Sequence, residues 1–500
     1  MEAAIFEGVM TALSTKCVFA NALGVFLGII FGAMPGLTAA MGVALLIPLT
    51  FGMPAVEAFS TLLGMYVGAI YGGCITAILV GTPGTVAAAA TLLEGPPLTA
   101  KGESRRALEM ATIASFIGGI FSAVALCTLA PLLAKIAMGF GASEYFAVAV
   151  FGLTIVTSLS SKRPLKGLIS CLLGLFIATI GLDPITGDLR NTFENPNLFS
   201  GVPLVPVLIG LFALSQILLT IENVIKGMEF TEGTMSKQRI TLSDLQKNFI
   251  NLVRSSLIGT VIGIIPATGV SAATFMAYSE AKRFSKTPEQ FGKGTLEGIA
   301  ASESSNNAVC GGALIPLLTL GIPGDIVTAI MLGALMIQGL TPGPLLFVEH
   351  PVTVYGIFAA FIVSNILMLV IGLITIPMAR LILHVPNSVL MPIVITLCVV
   401  GGFSVNNSTF DLLLVAVFGT AGYLMNKCAI PLPPMLLAMI LAPIAETNFR
   451  RALSISQNDF SIFYVNPIAM TILVISFFIL LQPLYVTAWR WFRRDRTFVV

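Results

Sequence analysis

From Ser461 to Ala488 the chain carries no charged side chain, and that run exceeds the ~20 residues an α-helix needs to cross the hydrocarbon core of a bilayer. This segment alone makes a soluble fold untenable. The rest of the chain agrees with it: of 500 residues 56% are hydrophobic and 10% charged, whereas soluble domains carry roughly a quarter charged residues. Mean hydropathy is +0.96. A membrane β-barrel would need alternating segments of about ten residues. The apolar runs here are long and continuous, so the expected fold is an all-α polytopic membrane protein with roughly 11–13 membrane segments.

The net charge of +2 says little, because the placement of Lys and Arg decides topology rather than their total. The basic residues are scattered among short loops, so nucleic acid is not an expected partner; the bilayer is. Seven cysteines stand singly with no CxxC pair, and the two histidines, His350 directly before Pro351 and His384 two residues before Pro386, lie near the end of an apolar run. These read as small buried hydrophobes and as loop or helix-end residues, not as disulfides or a metal site. Met1 to Lys16 carries Glu2 and Glu7 and lacks the basic region of a secretory signal. Insertion through the first apolar helices is expected.

Pro-Gly breaks interrupt the apolar blocks. The first block, Cys17 to Thr50, has Gly24, Gly28 and Gly32 on one helix face and then Met-Pro-Gly-Leu-Thr from Met34 to Thr38. The glycines are read as a packing stripe. Pro35 and Gly36 open the backbone and free its polar groups. A second break, Gly81-Thr82-Pro83-Gly84-Thr85, is flanked by pieces near Ile75 to Val80 and Val86 to Leu93 that are too short to span the membrane, which predicts re-entrant or discontinuous helices.

The second half repeats the first. Gly28-Ile-Ile-Phe-Gly32-Ala-Met-Pro35 matches Gly259-Thr-Val-Ile-Gly263-Ile-Ile-Pro266, and Gly81-Thr-Pro-Gly84 matches Gly321-Ile-Pro-Gly324. In the first copy the loop between motifs, Phe51 to Glu57, has no Lys or Arg, and the loop after carries Lys101, Arg105 and Arg106. In the second copy the loop between motifs has Lys282, Arg283, Lys286 and Lys293, and Gly339 to Pro351 has none. Opposite charge in equivalent loops places them on opposite sides of the membrane, so the repeats are expected to be inverted. The organisation this predicts is a first repeat core over 1–135, connecting transmembrane helices over 136–221 and a polar cytoplasmic linker over 222–254. A second repeat core over 255–351 and C-terminal transmembrane helices over 352–500 follow. Arg490, Arg493, Arg494 and Arg496 beside Trp489 and Trp491 read as a cytoplasmic interfacial anchor.

The strongest chemical signal is Ser302-Glu303-Ser304-Ser305-Asn306-Asn307, six polar residues running into an apolar segment that ends in Gly321-Ile-Pro323-Gly324. Polar groups at membrane depth are tolerated where they face protein or a water-filled cavity. A carboxylate there costs ~2.5 kcal/mol or more and usually marks an ion or substrate path. The alternative is an interfacial helix cap after Lys293 to Glu297. The counterpart near Leu63 to Val67 is apolar, so duplication did not require this polarity. Discontinuous helices in inverted repeats offer positive helix ends to anions and free carbonyls to Na⁺. Thr38, Thr82, Thr85, Pro266, Thr268, Gly269 and Ser271 stand at the breaks and could contribute to such a site. Asp325 is a candidate helix N-cap, with ion binding second. Asn406 to Ser408 before Asp411 read as a loop and cap, and Glu94 and Glu144 as helix-end residues without a role. No GxxxxGK[ST], HExxH or G-x-S-x-G pattern occurs, so enzyme chemistry is not expected.

Taken together, Met34 to Thr38, Tyr71-Gly72-Gly73, Thr82-Pro83-Gly84, Glu303-Ser-Ser-Asn-Asn-Ala and Gly321-Ile-Pro-Gly resemble the large membrane subunit of tripartite tricarboxylate transporters, the TctA-type permeases. The resemblance covers essentially the whole chain. Glu94-Gly95-Pro96-Pro97 departs from the family's more usual Asp-Gly-Tyr-Pro. The resemblance implies a secondary carrier of the bacterial inner membrane that works with a small membrane subunit and a periplasmic solute-binding protein. The implied cargo is a citrate-like carboxylate taken up with Na⁺ or H⁺, with no cofactor. An ion channel, or a scaffold subunit without its own transport cycle, is the alternative expectation.

Overall fold

A computed structural model describes residues 2–34, 36–159, 164–225, 238–266, 269–379, 387–404 and 406–494. Side chains at 156–159, 164, 223–225, 387–390 and 482–494 are outside that description. Pro35, Thr268, His384, the linker residues Lys226 and Lys237, and Arg496 therefore lie outside the described residues, as do the side chains of Arg490, Arg493 and Arg494.

The described chain is helical almost throughout. It begins with α1 (Glu2–Ala12), α2 (Thr15–Ala33), α3 (Ala39–Thr50) and α4 (Ala55–Leu79). Two 3₁₀ segments, Val86–Ala89 and Thr91–Leu93, lead to α5 (Gly95–Ala100), α6 (Ser104–Ala137), α7 (Ala142–Leu159) and α8 (Pro164–Ala178). Next come α9 (Leu204–Leu208) and α10 (Ser215–Ile225), joined by a π-helical segment Ile209–Leu214. The second half contains α11 (Leu242–Ile264), α12 (Val270–Phe284), α13 (Leu296–Leu320), α14 (Ile326–Ile337), α15 (Leu346–Glu349) and α16 (Pro351–Thr375). The chain closes with α17 (Asn387–Ser404), α18 (Thr409–Lys427), α19 (Pro433–Ile455), α20 (Ile462–Val465) and α21 (Pro467–Arg494). Among the described residues six helices are long and apolar enough to cross a membrane, and six shorter apolar helices accompany them.

The chain divides into two compact units. The first comprises 1–135, 204–265 and 269–423 and holds both repeats. The glycine stripe explains how they pack. A Cβ on Gly28 would lie 2.5 Å from the Met65 carbonyl oxygen and 2.8 Å from the Ala69 nitrogen, so α2 and α4 meet backbone to backbone. In the second copy a Cβ on Gly263 would sit 2.7 Å from the Val309 carbonyl oxygen, so α11 meets α13 in the same way. Both returning breaks seat a glycine beside these contacts: Gly84 against the Gly32 carbonyl and Gly324 against the Gly263 carbonyl. The duplication is thus one of packing as well as of motif.

α4 and α13 are equivalent helices, each of 25 residues. They run antiparallel. Tyr66 on α4 reaches Asp325 just beyond the end of α13, the Ile70 carbonyl meets Asn306, and Thr91 beyond the end of α4 meets Ser302. Ascending one helix descends the other, as two copies of opposite orientation require.

Two expectations are corrected. Ile75 to Val80 is not a separate short piece, because α4 continues unbroken from Ala55 to Leu79 and breaks only after its end. Gly64, Gly68 and Gly72 lie against α2 and Gly73 against Thr85, where they permit contact instead of opening the helix. The piece after the break is 3₁₀ rather than α-helical. The polar stretch Ser302 to Asn307 is helix interior and not an interfacial cap, since Thr295 caps α13 seven residues upstream. Ser302 and Ser304 donate to the Gly298 and Ala300 carbonyls at 2.9 and 2.7 Å. Hydroxyls that bond back one turn satisfy themselves without ending the helix.

The second unit comprises 136–203, 266–268 and 424–500. Within it α7 carries Phe146 against Phe449 and Phe463, whose rings are 5.0 and 5.1 Å away. The loop after α8 forms a two-residue antiparallel ladder, Gly181–Leu182 with Leu189–Arg190. Asp183 anchors it by accepting from Thr186 N at 2.9 Å and Ile185 N at 2.8 Å, and by pairing with Arg450 at 2.8 Å. Arg190 and Glu446 complete the network at 2.7 Å. The Thr186 and Ile185 amides, then the Arg450 guanidinium, hold the Asp183 carboxyl well below the usual carboxylate range.

A carboxyl depressed in the folded state contributes stability at pH above its unfolded pKa, and loses it as the pH falls through the folded value. Cleavage of the 184–200 loop by a protease active over a wide pH range should therefore stay constant down to about pH 4 and rise below it. Arg450→Ala should raise cleavage already at neutral pH. A loop equally resistant in that variant would show that the network does not hold it.

Candidate functional site

The site is built on α13, whose residues from Gly298 to Thr319 are all buried. Glu303 is wholly buried, so its carboxylate must find partners within the protein. Thr91, from the 3₁₀ turn after the second break, donates to Glu303 Oε1 and lies 3.0 Å from the Ser302 hydroxyl. Asn306 Nδ2 donates to Glu303 Oε2 at 3.3 Å, and Ser115 on α6 does so at 3.4 Å. None of these partners is cationic. Thr91 and Ser115 of the first repeat core and Asn306 of the second meet at this one carboxylate.

Its surroundings hold polar groups left unpaired among the described residues. Ser305 Oγ, Asn306 Oδ1 and both polar atoms of Asn307 are buried without a hydrogen-bond partner among the described residues, as are Thr82 Oγ1 and Thr85 Oγ1 at the second break. An unsatisfied buried group costs ~1–3 kcal/mol, and folded proteins leave few of them. Clustering on three consecutive residues of α13 sets this stretch apart from the rest of the helix.

The fourth break is arranged differently. Gly321 closes α13 in the left-handed conformation with φ +71°, and Pro323 and Gly324 are buried behind it. Asp325 then caps α14, accepting from Thr328 N at 2.8 Å while Thr328 Oγ1 accepts from Asp325 N at 2.9 Å. The expected capping role is met. Its second oxygen accepts from Tyr66 Oη at 2.5 Å, a buried contact across the two repeats.

The other expected residues are dispersed. Thr38 caps α3, accepting from Met41 N at 3.1 Å, and Gly36 takes φ +91° with its carbonyl 3.4 Å from the Thr220 hydroxyl of α10. Gly269, with φ +79°, opens α12, Pro266 is buried, and Ser271 donates to the Val86 carbonyl at 3.0 Å. Thus the second and third breaks touch, and the second reaches Glu303 through Thr91. The first break meets α10 instead.

Sequence reasoning missed Thr91, Ser115 and Tyr66, which supply the polar contacts to the two buried acids, and Tyr71, whose hydroxyl pairs with Thr112 at 2.8 Å. It also gave no role to Glu94, which is wholly buried and accepts four hydrogen bonds. Thr91 lies three residues from Glu94 inside an apolar Ala-rich run, and only its approach to Ser302 in space distinguishes it.

Equivalent antiparallel helices, breaks returning against their neighbours and a buried acid shared between copies are features of a multi-pass membrane protein built from inverted repeats. The family model of the tripartite tricarboxylate transporter TctA family matches residues 18–437, and the chain belongs to that family. Such transporters are assembled from partner subunits, of which this chain is one component. A protein of Agrobacterium vitis described as "Uncharacterized 52.8 kDa protein in TAR-I ttuC' 3'region" is 35% identical over 472 residues, covering 94% of this chain and 93% of its own length. A second from the same organism, "Uncharacterized protein in TAR-II ttuC' 3'region", is 38% identical over 215 residues, 43% of this chain and 89% of its own length. No solved structure matches.

Proposed function

We propose that the chain is the permease subunit of a binding-protein-dependent secondary transporter that imports tricarboxylates or related carboxylates across the bacterial inner membrane, coupled to Na⁺ or H⁺. The observation that carries this reading is the α13 stretch: a wholly buried Glu303 with neutral partners, beside Ser305, Asn306 and Asn307 atoms that have no partner among the described residues. Such groups at membrane depth mark an ion or substrate path. The proposed contacts are Ser302 to Asn307 together with Pro35, Gly36, Thr38, Thr82 to Thr85, Pro266, Thr268, Gly269, Ser271 and Pro323 to Asp325. A small membrane subunit and a periplasmic binding protein complete the transporter, and the C-terminus faces the cytoplasm.

Reconstituted with its partner membrane subunit, the protein should accumulate a radiolabelled carboxylate only when the cognate binding protein is added and a Na⁺ or pH gradient is imposed. Applying the two gradients separately identifies the coupling ion. Electrical current without binding protein or substrate would support a channel and sink the carrier reading.

A further inference from the structure

Glu94 stands at the junction between the 3₁₀ turn Thr91–Leu93 and α5. Four donors, none cationic, converge on its carboxylate. Oε1 accepts from Tyr278 Oη and Gly292 N, each at 2.6 Å, and Oε2 accepts from Gly294 N at 2.8 Å and Thr295 N at 2.9 Å. The three amides belong to the loop that enters α13, whose N-cap is Thr295, so the charge also faces the positive end of that helix.

The loop is shaped for this contact. Gly292 and Gly294 take φ of +84° and +90°, a region that L side chains rarely adopt. A Cβ on Gly294 would meet Leu98 N at 3.0 Å and Pro97 C at 3.1 Å. Lys101 Nζ adds a bond to the Gly294 carbonyl at 3.0 Å. Tyr278 is fixed by the Phe291 ring, 5.3 Å away at 72°. A buried carboxylate is costly to desolvate and is retained where several charge-assisted bonds offset the cost. Closing a loop does not by itself call for one.

We propose that Glu94 is the positioning residue of the α13 site. Its carboxylate latches the segment 91–100, from the first repeat, onto the loop 292–295 of the second, and so sets the Thr91 hydroxyl against Ser302 and Glu303. A single 3₁₀ turn has too few bonds of its own to hold that register. All four acceptor positions are used by donors, so glutamine cannot satisfy them all: the Tyr278 hydroxyl can rotate to accept, but in either orientation the amide would turn a hydrogen toward at least one backbone N–H. The consequence for transport rests on the permease reading above; the latch itself does not.

The geometric test is a disulfide between Thr91→Cys and Ser302→Cys, whose hydroxyls are 3.0 Å apart, formed in membranes by mild oxidation and read by mass spectrometry of the joined peptides. Adding Glu94→Gln should lower the yield about five-fold or more, and Glu94→Asp, which keeps the charge, should restore part of it. An unchanged yield in Glu94→Gln overturns the proposal. Should that variant fail to accumulate, Tyr278→Phe removes one donor of the four and should lower the yield about two-fold; no change there overturns it equally.

Uptake supplies the second readout. Glu94→Gln and Thr91→Val should each cost about ten-fold, and together little more than either, because one acts through the other. Losses that multiply to about a hundred-fold would show that Glu94 acts independently of Thr91, against the proposal. The disulfide is read without transport, so a parent protein with no carboxylate uptake counts against the permease reading and leaves the latch result standing.

Discussion

Glu303→Gln is expected to lower carboxylate uptake to about one-hundredth of wild type or less, a loss of ~2.7 kcal/mol, which is the size of one contact to a charged group. The protein should still reach the membrane in normal amounts. Glutamine fills the same volume, and its oxygen still accepts from Thr91. The new amide hydrogens would face Ser115, whose hydroxyl can accept, and Asn306, whose Oδ1 has no partner among the described residues. Turning the Asn306 amide over therefore accommodates the substitution, at the expense of its 3.4 Å contact with the Ile70 carbonyl. What the variant removes is the ionisable carboxyl. Wild-type uptake in Glu303→Gln, with matched protein in the membrane, would take this residue out of the transport site.

The second large effect concerns Asp325, where cap and site must be separated. Asp325→Ala removes the N-cap of α14, worth about 1 kcal/mol, and leaves the buried Tyr66 hydroxyl without its partner, worth a further ~1–3 kcal/mol. Loss of uptake in that variant alone would not decide between a folding role and a transport role. Asp325→Ser keeps a cap acceptor for Thr328 N but neither the charge nor the reach to Tyr66. We expect Asp325→Ser to recover only the cap's share of the thermal stability in detergent, about 1 kcal/mol, and uptake to remain at least about ten-fold low, because the contact between repeats at Tyr66 is not rebuilt. Recovery of both properties together would reduce Asp325 to a cap.

The contrast between these acids shows what the chain's order of residues reveals. Asp325 as a cap was legible, because Pro323-Gly324 ends one helix and an Asp directly after it has one obvious local use. Glu303 was legible as a residue out of place in an apolar segment. Its setting was not, because a run of Ser and Asn in isolation reads as readily as a loop or a cap. In space Ser302 and Ser304 bond back to Gly298 and Ala300 and the helix passes straight through. Glu94 was passed over for the converse reason. Beside glycine and two prolines it looks like an ordinary helix-end acid, and the amides that bind it lie about two hundred residues further along the chain.

The sequence by itself determined the solvent, the helical class, the duplication and the family. Those follow from local and additive properties: long uncharged runs, the fixed cost of an unpaired backbone in lipid, glycines at four-residue spacing and motifs repeated in order. Tertiary structure alone decided which polar groups meet. Thr91 reaches Glu303, Tyr66 reaches Asp325 and Glu94 reaches the entrance of α13 because α4 and α13 cross in opposite directions and the break after α4 folds back beside its partner repeat. Hydrogen bonds form only within about 3 Å, and such proximity between residues far apart in the chain is a property of packing, which no local pattern of residues records.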